Sequence, residues 1–211
     1  MKNTIMLISL WVMVLPVMAQ RNIDRHISFA GKDYLTMKIQ IADSITVHTW
    51  NKPEVYARAS VNINDNQDNE AYKVSFDEVG KTVGITAGFE DNYFKGRKNC
   101  CNESVICWEV YIPEKTAFSI ETIDGNITID GTTAGIRAKT ISGFIDWAVR
   151  PDCNADLELK TISGTLYSNM EFNAVTNTNS FPQKVSQKLN QGGTPVELET
   201  ISGDIFCRRF Q

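Results

Sequence analysis

Thr122-Ile123-Asp124-Gly125, Thr140-Ile141-Ser142-Gly143, Thr161-Ile162-Ser163-Gly164 and Thr200-Ile201-Ser202-Gly203 are near-copies of one unit. They recur at a period of about 20 residues, and the last interval is close to two such periods. A fixed period of that size marks a stack in which each repeat adds one coil. Phe118/Ile120, Ile136/Ala138, Leu157/Leu159 and Val196/Leu198 precede the four copies. Ile127/Ile129, Ile145/Trp147, Leu166/Ser168 and Ile205/Cys207 follow them. Apolar residues two apart read as half-buried strands, so each repeat is a strand, a corner and a second strand. The parity differs on the two sides, and the chain must flip once at the corner, as a bend or bulge does.

Gly125, Gly143, Gly164 and Gly203 are therefore the structural corners, where glycine tolerates positive φ. Stacked coils would put Thr122, Thr140, Thr161 and Thr200 in one column, and Asp124, Ser142, Ser163 and Ser202 in another. Ile123, Ile141, Ile162 and Ile201 make a third column, expected to fill the interior. The recurring hydroxyls are not nucleophile candidates, because no histidine recurs beside them. No catalytic, cofactor-binding or metal-binding residues are expected, and no cofactor. With Ile127, Ile145, Leu166 and Ile205 inward, Phe144, Tyr167 and Phe206 face outward on successive rungs, near Asp146 and Arg208. Those three rings are a candidate binding platform, unless the first half of the chain or the Thr176–Gly193 segment covers them.

Residues 22–118 form a more irregular β half. Ser44 to Trp50 alternates, Asn51-Lys52-Pro53 turns, and Glu54 to Ile63 alternates again. Tyr72 to Phe76, Val83 to Thr86 and Val105 to Ile112 read as further strands, the last ended by Pro113. No long amphipathic helix is legible. Thr176 to Gly193 is polar and free of acids, and reads as an insertion on a coil edge with a short strand around Val185 to Leu189.

The ends and composition suggest a compartment. Residues 1–19 read as a signal peptide: Lys2, an apolar run from Ile5 to Leu15, Pro16, and a small-residue cleavage pattern before Gln20. That run is short for a bilayer span, so residues 20–211 are expected as one exported domain in the periplasm or at the cell surface, with no integral membrane segment. The formal net charge of −4 argues against nucleic acid. Export permits disulfides, and Cys107 with Cys100 or Cys101 is the local candidate among Cys100, Cys101, Cys107, Cys153 and Cys207. Zinc is the other reading, but no second CxxC and no nearby histidine support it.

The segments Ile45-Thr46-Val47-His48-Thr49-Trp50-Asn51-Lys52-Pro53-Glu54-Val55, Trp108-Glu109-Val110-Tyr111-Ile112-Pro113 leading into Thr122-Ile123-Asp124-Gly125, and Val196 through Ile205 resemble the putative adhesin family of bacterial β-strand-repeat domains of unknown function. The resemblance covers nearly all of residues 20–211 and looks like a Gram-negative, Bacteroides-type member. It implies an all-β, right-handed parallel β-helix-like fold, export, and no assigned catalytic residues. The expected function is a non-enzymatic binding or scaffold module of the cell envelope, with an envelope protein or a glycan as partner. The alternatives are an envelope-stress-associated partner protein and a polysaccharide-acting enzyme. The enzyme would need clustered carboxylates, whereas Asp124, Asp130, Asp146 and Asp204 occupy different phases of the repeat.

Overall fold

The computed structural model describes residues 20–94, 103–170 and 182–209. The signal-peptide reading of residues 1–19, Cys100 and Cys101 lie outside them. In chain order the strands are β1 (Arg21–Ser28), β2 (Tyr34–Ile39), β3 (Ile41–Trp50), β4 (Glu54–Ile63), β5 (Tyr72–Val79), β6 (Thr82–Phe89), β7 (Ser104–Pro113) and β8 (Ala117–Asp130). The repeats continue as β9 (Gly135–Ser142), β10 (Ile145–Val149), β11 (Ala155–Ser163), β12 (Leu166–Ser168), β13 (Gln183–Leu189), β14 (Thr194–Ser202) and β15 (Ile205–Arg209). No α-helix occurs among the described residues; one 3₁₀ turn, Asn69–Ala71, precedes β5. None of the described helices is long and apolar enough to cross a membrane.

The strands form two faces joined through corners. One runs β5-β6-β2-β8-β9-β14-β11-β13, using the first half of β8. The other runs β1-β4-β7-β3-β8-β10-β15-β12, using the second half of β8. The motif strands pair in parallel, with Thr122 against Thr140, Thr140 against Thr200, and Thr200 against Thr161. The columns read from the sequence therefore exist. Their order does not follow the chain, because the last repeat lies between the second and third. β13 pairs antiparallel with β11 on one side, and β14 lies on its other side, between β9 and β11. The polar segment before Gly193 thus does more than decorate an edge, since its strand caps β11.

The sheet is mixed. β1/β4, β4/β7, β5/β6 and β11/β13 are antiparallel. The parallel β-helix expectation accordingly reduces to an all-β chain whose motif strands stack in parallel. Of the antiparallel pairs only β5/β6 is a hairpin, closed by the short turn at Gly80; the other three join strands that are not neighbours in the chain.

The isoleucine column is a correction. Ile123, Ile141 and Ile162 are exposed, while Thr122, Thr140, Thr161 and Thr200 are buried. Alternation decides this: Phe118, Ile120 and Thr122 share one parity, and all three point inward. Burying threonine here has a physical reason. A backbone that turns leaves carbonyls without strand partners, and a buried carbonyl needs a donor. The Thr140 hydroxyl donates toward the Gly125 and Ser142 carbonyls at 3.2 and 2.9 Å. Thr161 and Thr200 both reach the Gly203 carbonyl, at 2.9 and 2.7 Å.

The corners need glycine mainly because of crowding. Among the four, only Gly143 has positive φ, at 122°. A Cβ on Gly143 would collide with the Gly125 carbonyl, one on Gly203 with the Gly143 carbonyl, and one on Gly164 with the Gly203 carbonyl. The glycines stack backbone upon backbone, closer than any side chain permits.

Candidate functional site

Between the two faces lies a core of Val, Ile, Leu and aromatic side chains, with Trp108, Tyr72 and Phe118 the largest fully buried. Core positions alternate with outward ones, so the outer face of the β1-β4-β7-β3-β8 sheet carries the remaining parity. One register row across it reads His26, Tyr56, Tyr111, His48, Asp130. The rings of that row stack in series. His26 lies 4.5 Å from Tyr56, Tyr56 lies 6.0 Å from Tyr111, and Tyr111 lies 4.9 Å from His48, with interplanar angles of 27°, 29° and 27°. Trp50 widens the row, 5.2 Å from Tyr111 and 6.3 Å from Tyr56, with Lys52 Nζ 4.3 Å from its ring centre. The Trp50 indole N–H donates to the Glu54 carbonyl at 2.8 Å, fixing the ring.

Carboxylates border the rings. The Tyr56 hydroxyl donates to Asp24 at 2.6 Å, and the Tyr111 hydroxyl donates to Glu109 at 2.7 Å. These hydrogen bonds are the main reason that both phenols titrate above their ordinary range. His48 Nδ1 sits 2.8 Å from Asp130, its Nε2 is 3.9 Å from Glu109, and His26 Nδ1 is 3.4 Å from Glu54. Rings stacked in series cover one another's faces, so such a surface offers ring edges to apolar groups and accepts hydroxyl hydrogen bonds around them.

Beside the row lies a shallow depression of about 280 Å³ whose lining includes Ser44, Ser60, Cys107 and Glu109. Cys107 is a free thiol, half-buried, opposite Ser44 and Ser60. It stands four residues from Tyr111 along β7, roughly 13 Å at the strand rise, so it is not positioned against His48 as a nucleophile–base pair. Its expected partner Cys101 lies outside the described residues. Cys153 and Cys207 are also free. No group of three or more His, Cys, Asp or Glu among the described residues is arranged to hold a metal.

The platform expected at Phe144, Tyr167 and Phe206 lies on the other end of the same face. Tyr167 stacks on Phe206 at 5.1 Å and 10°, and Phe144 meets Phe206 edge-on at 5.9 Å. Arg208 forms a fork with Asp146, its Nε donating at 2.9 Å. Those three residues come together, and Tyr167 is 47% exposed. The larger row escaped the sequence reading. Its members carried a signal, since His48, Trp50, Tyr56 and Tyr111 have the outward parity of strands already recognised. What brings them together is the pairing of β4 with β7 and of β7 with β3, which alternation does not encode.

No protein-family model matches the chain, and no curated protein matches it. Among solved structures, a putative cell adhesion protein from Clostridium sporogenes superposes with a TM-score of 0.57 at 10% identity, covering 91% of this chain and 100% of that one. This chain and that protein share a fold. A putative adhesin from Bacteroides fragilis aligns at a TM-score of 0.27 and 8% identity, covering 91% of this chain and 98% of its own. A putative lipid binding protein from Parabacteroides distasonis aligns at 0.26 and 10%, covering 90% and 97%. Both are too distant to bear on the fold.

Proposed function

We propose that this chain is an exported, non-enzymatic binding module of the cell envelope that holds a glycan on the His26–Tyr56–Tyr111–His48 row. The observation that carries the reading is the row itself: stacked rings in one register line, bordered by Asp24, Glu54, Glu109 and Asp130. The C–H groups of a sugar ring pack along the edges of the stacked rings, and its hydroxyls donate to the flanking carboxylates. The His48 and Tyr111 contacts hold the Asp130 and Glu109 carboxylates in place beside the rings. The adhesin-like resemblance and the fold shared with the Clostridium protein agree with a binding role. The exposed Tyr167–Phe206 stack favours a second reading, in which a protein partner docks at that end of the face.

A glycan array and an envelope pull-down, run on the full mature chain and on two variants, test this. Tyr111→Ser should abolish array binding while the melting temperature hardly moves, and Tyr167→Ser should leave the array signal intact. Glycan binding untouched by Tyr111→Ser sinks the platform. Loss of a captured protein with Tyr167→Ser alone supports the second reading. Export is checked by the mass of the chain from its native envelope, which should begin at Gln20.

A further inference from the structure

The loops that follow β7, β8 and β10 meet at one end of the strands and surround a cleft of about 380 Å³. Glu114, Thr132, Arg150, Asp152 and Asn154 line it, with Trp147 contributed from the core. Trp147 is 2% exposed, and its indole N–H has no hydrogen-bond partner among the described residues. Buried donors are seldom left so, and this one belongs to a residue that lines the cleft. The other lining groups define what would fit. Arg150 is engaged with Asp152 at 3.3 Å, while Glu114 has no cation beside it among the described residues. The cleft is thus net negative and ill-suited to an anion. Asn154 accepts the Gln191 N–H at 3.2 Å through its oxygen, which leaves its amide hydrogens free to donate. Two carboxylates, an amide and a threonine hydroxyl suit an uncharged molecule rich in hydroxyls.

The cleft also adjoins the aromatic row. Gly131 follows Asp130 directly, the Glu114 N–H donates to the Trp50 carbonyl at 3.0 Å, and the Thr132 N–H donates to the Thr49 hydroxyl at 3.0 Å. We propose that this cleft is a second subsite that takes one uncharged terminal sugar unit, the next units of the chain lying over Trp50 and Tyr111. The assignment of a sugar rests on the platform reading; the existence of a ligand site in the cleft rests on Trp147 and its neighbours.

The test follows the three indole ¹H–¹⁵N resonances of residues 20–211, from Trp50, Trp108 and Trp147, assigned with Trp50→Phe and Trp147→Phe variants. The probes are glucose, galactose, mannose and N-acetylglucosamine, each as the free sugar and as its β1,4-linked trisaccharide. At least one free sugar should shift Trp147 saturably, and its trisaccharide should shift Trp147 and Trp50 together with about tenfold or greater gain in affinity. Asn154→Ala combined with Asp152→Ala should weaken the Trp147 response by about tenfold. Tyr111→Ser should spare the free-sugar response and remove the trisaccharide gain. A trisaccharide that moves Trp50 and not Trp147 overturns the cleft and leaves the platform standing. A Trp147 response that gains nothing from chain length supports the cleft as a ligand site and overturns its continuity with the platform. Silence of both resonances to all eight probes overturns both.

Discussion

The two halves of the molecule use strands differently. In the repeat half, like residues stand over like: threonine on threonine, glycine on glycine, in parallel register. In the first half, antiparallel and parallel pairs bring unlike residues side by side, and the row of rings and carboxylates arises there. Repetition makes a column regular and chemically uniform. A binding face needs different groups at neighbouring places, and unrepeated strands supply them. The difference implies that the repeat half is sensitive to geometry and the first half to chemistry.

Each half buries one acid that resists ionisation, and alkaline unfolding compares them. Burial, opposed by a hydrogen bond from Trp108, pushes Tyr72 in the first half from 10.0 to about 12. Burial first, then the Cys153 and Asp146 charges, pushes Cys207 in the repeat half from 9.0 to about 12. Both folded values lie above the unfolded ones, so the unfolded chain releases protons first as pH rises. Their contribution is complete below the unfolded values and is lost between about pH 9 and 12 for Cys207, and between about 10 and 12 for Tyr72. The losses amount to about 4 and about 3 kcal/mol. Urea titrations across that range should show Cys207→Ala flattening the curve from pH 9, and Tyr72→Phe only from pH 10. A wild-type curve flat to pH 12 contradicts both assignments.

The glycines give the next largest contrast. Gly203→Ala drives a methyl into the Gly143 carbonyl and should cost about 3 kcal/mol or more. Gly80, in the β5–β6 turn, has φ of 56° and open space around it. Gly80→Ala should cost only the left-handed strain, about 1 kcal/mol. Equal unfolding midpoints for the two variants would remove the crowding argument.

Inside the repeat, neighbouring residues should behave oppositely to their hydrophobicity. Thr140→Val keeps the shape and strips a donor from two carbonyls, at about 1–2 kcal/mol. Ile141→Thr changes an exposed residue and should stay within about 0.5 kcal/mol. The opposite ranking in thermal melts would restore isoleucine to the interior.

Much of this was legible in the residues. Alternation located β3, β4 and β7 and the strands on both sides of each corner. The outward parity of Phe144, Tyr167 and Phe206 agrees with their contacts. Hydrophobicity alone would send Ile123, Ile141 and Ile162 inward, but period is the stronger signal and puts the threonines there. β1 carries little apolar alternation, since Arg21–Ser28 is mostly exposed, whereas β2 alternates through the buried Leu35, Met37 and Ile39 and was legible without being read.

The sequence by itself determined the all-β class, the period, the corners and the columns, because these depend on spacing along the chain and on the steric demands of single residues. Tertiary structure alone decided the order of the coils and the meeting of Tyr56, Tyr111 and His48. Near-identical repeats fit one another in any order, so their sequence leaves the stacking degenerate. That degeneracy is broken by β13, which occupies the outer edge of β11 and leaves β14 the place between β9 and β11.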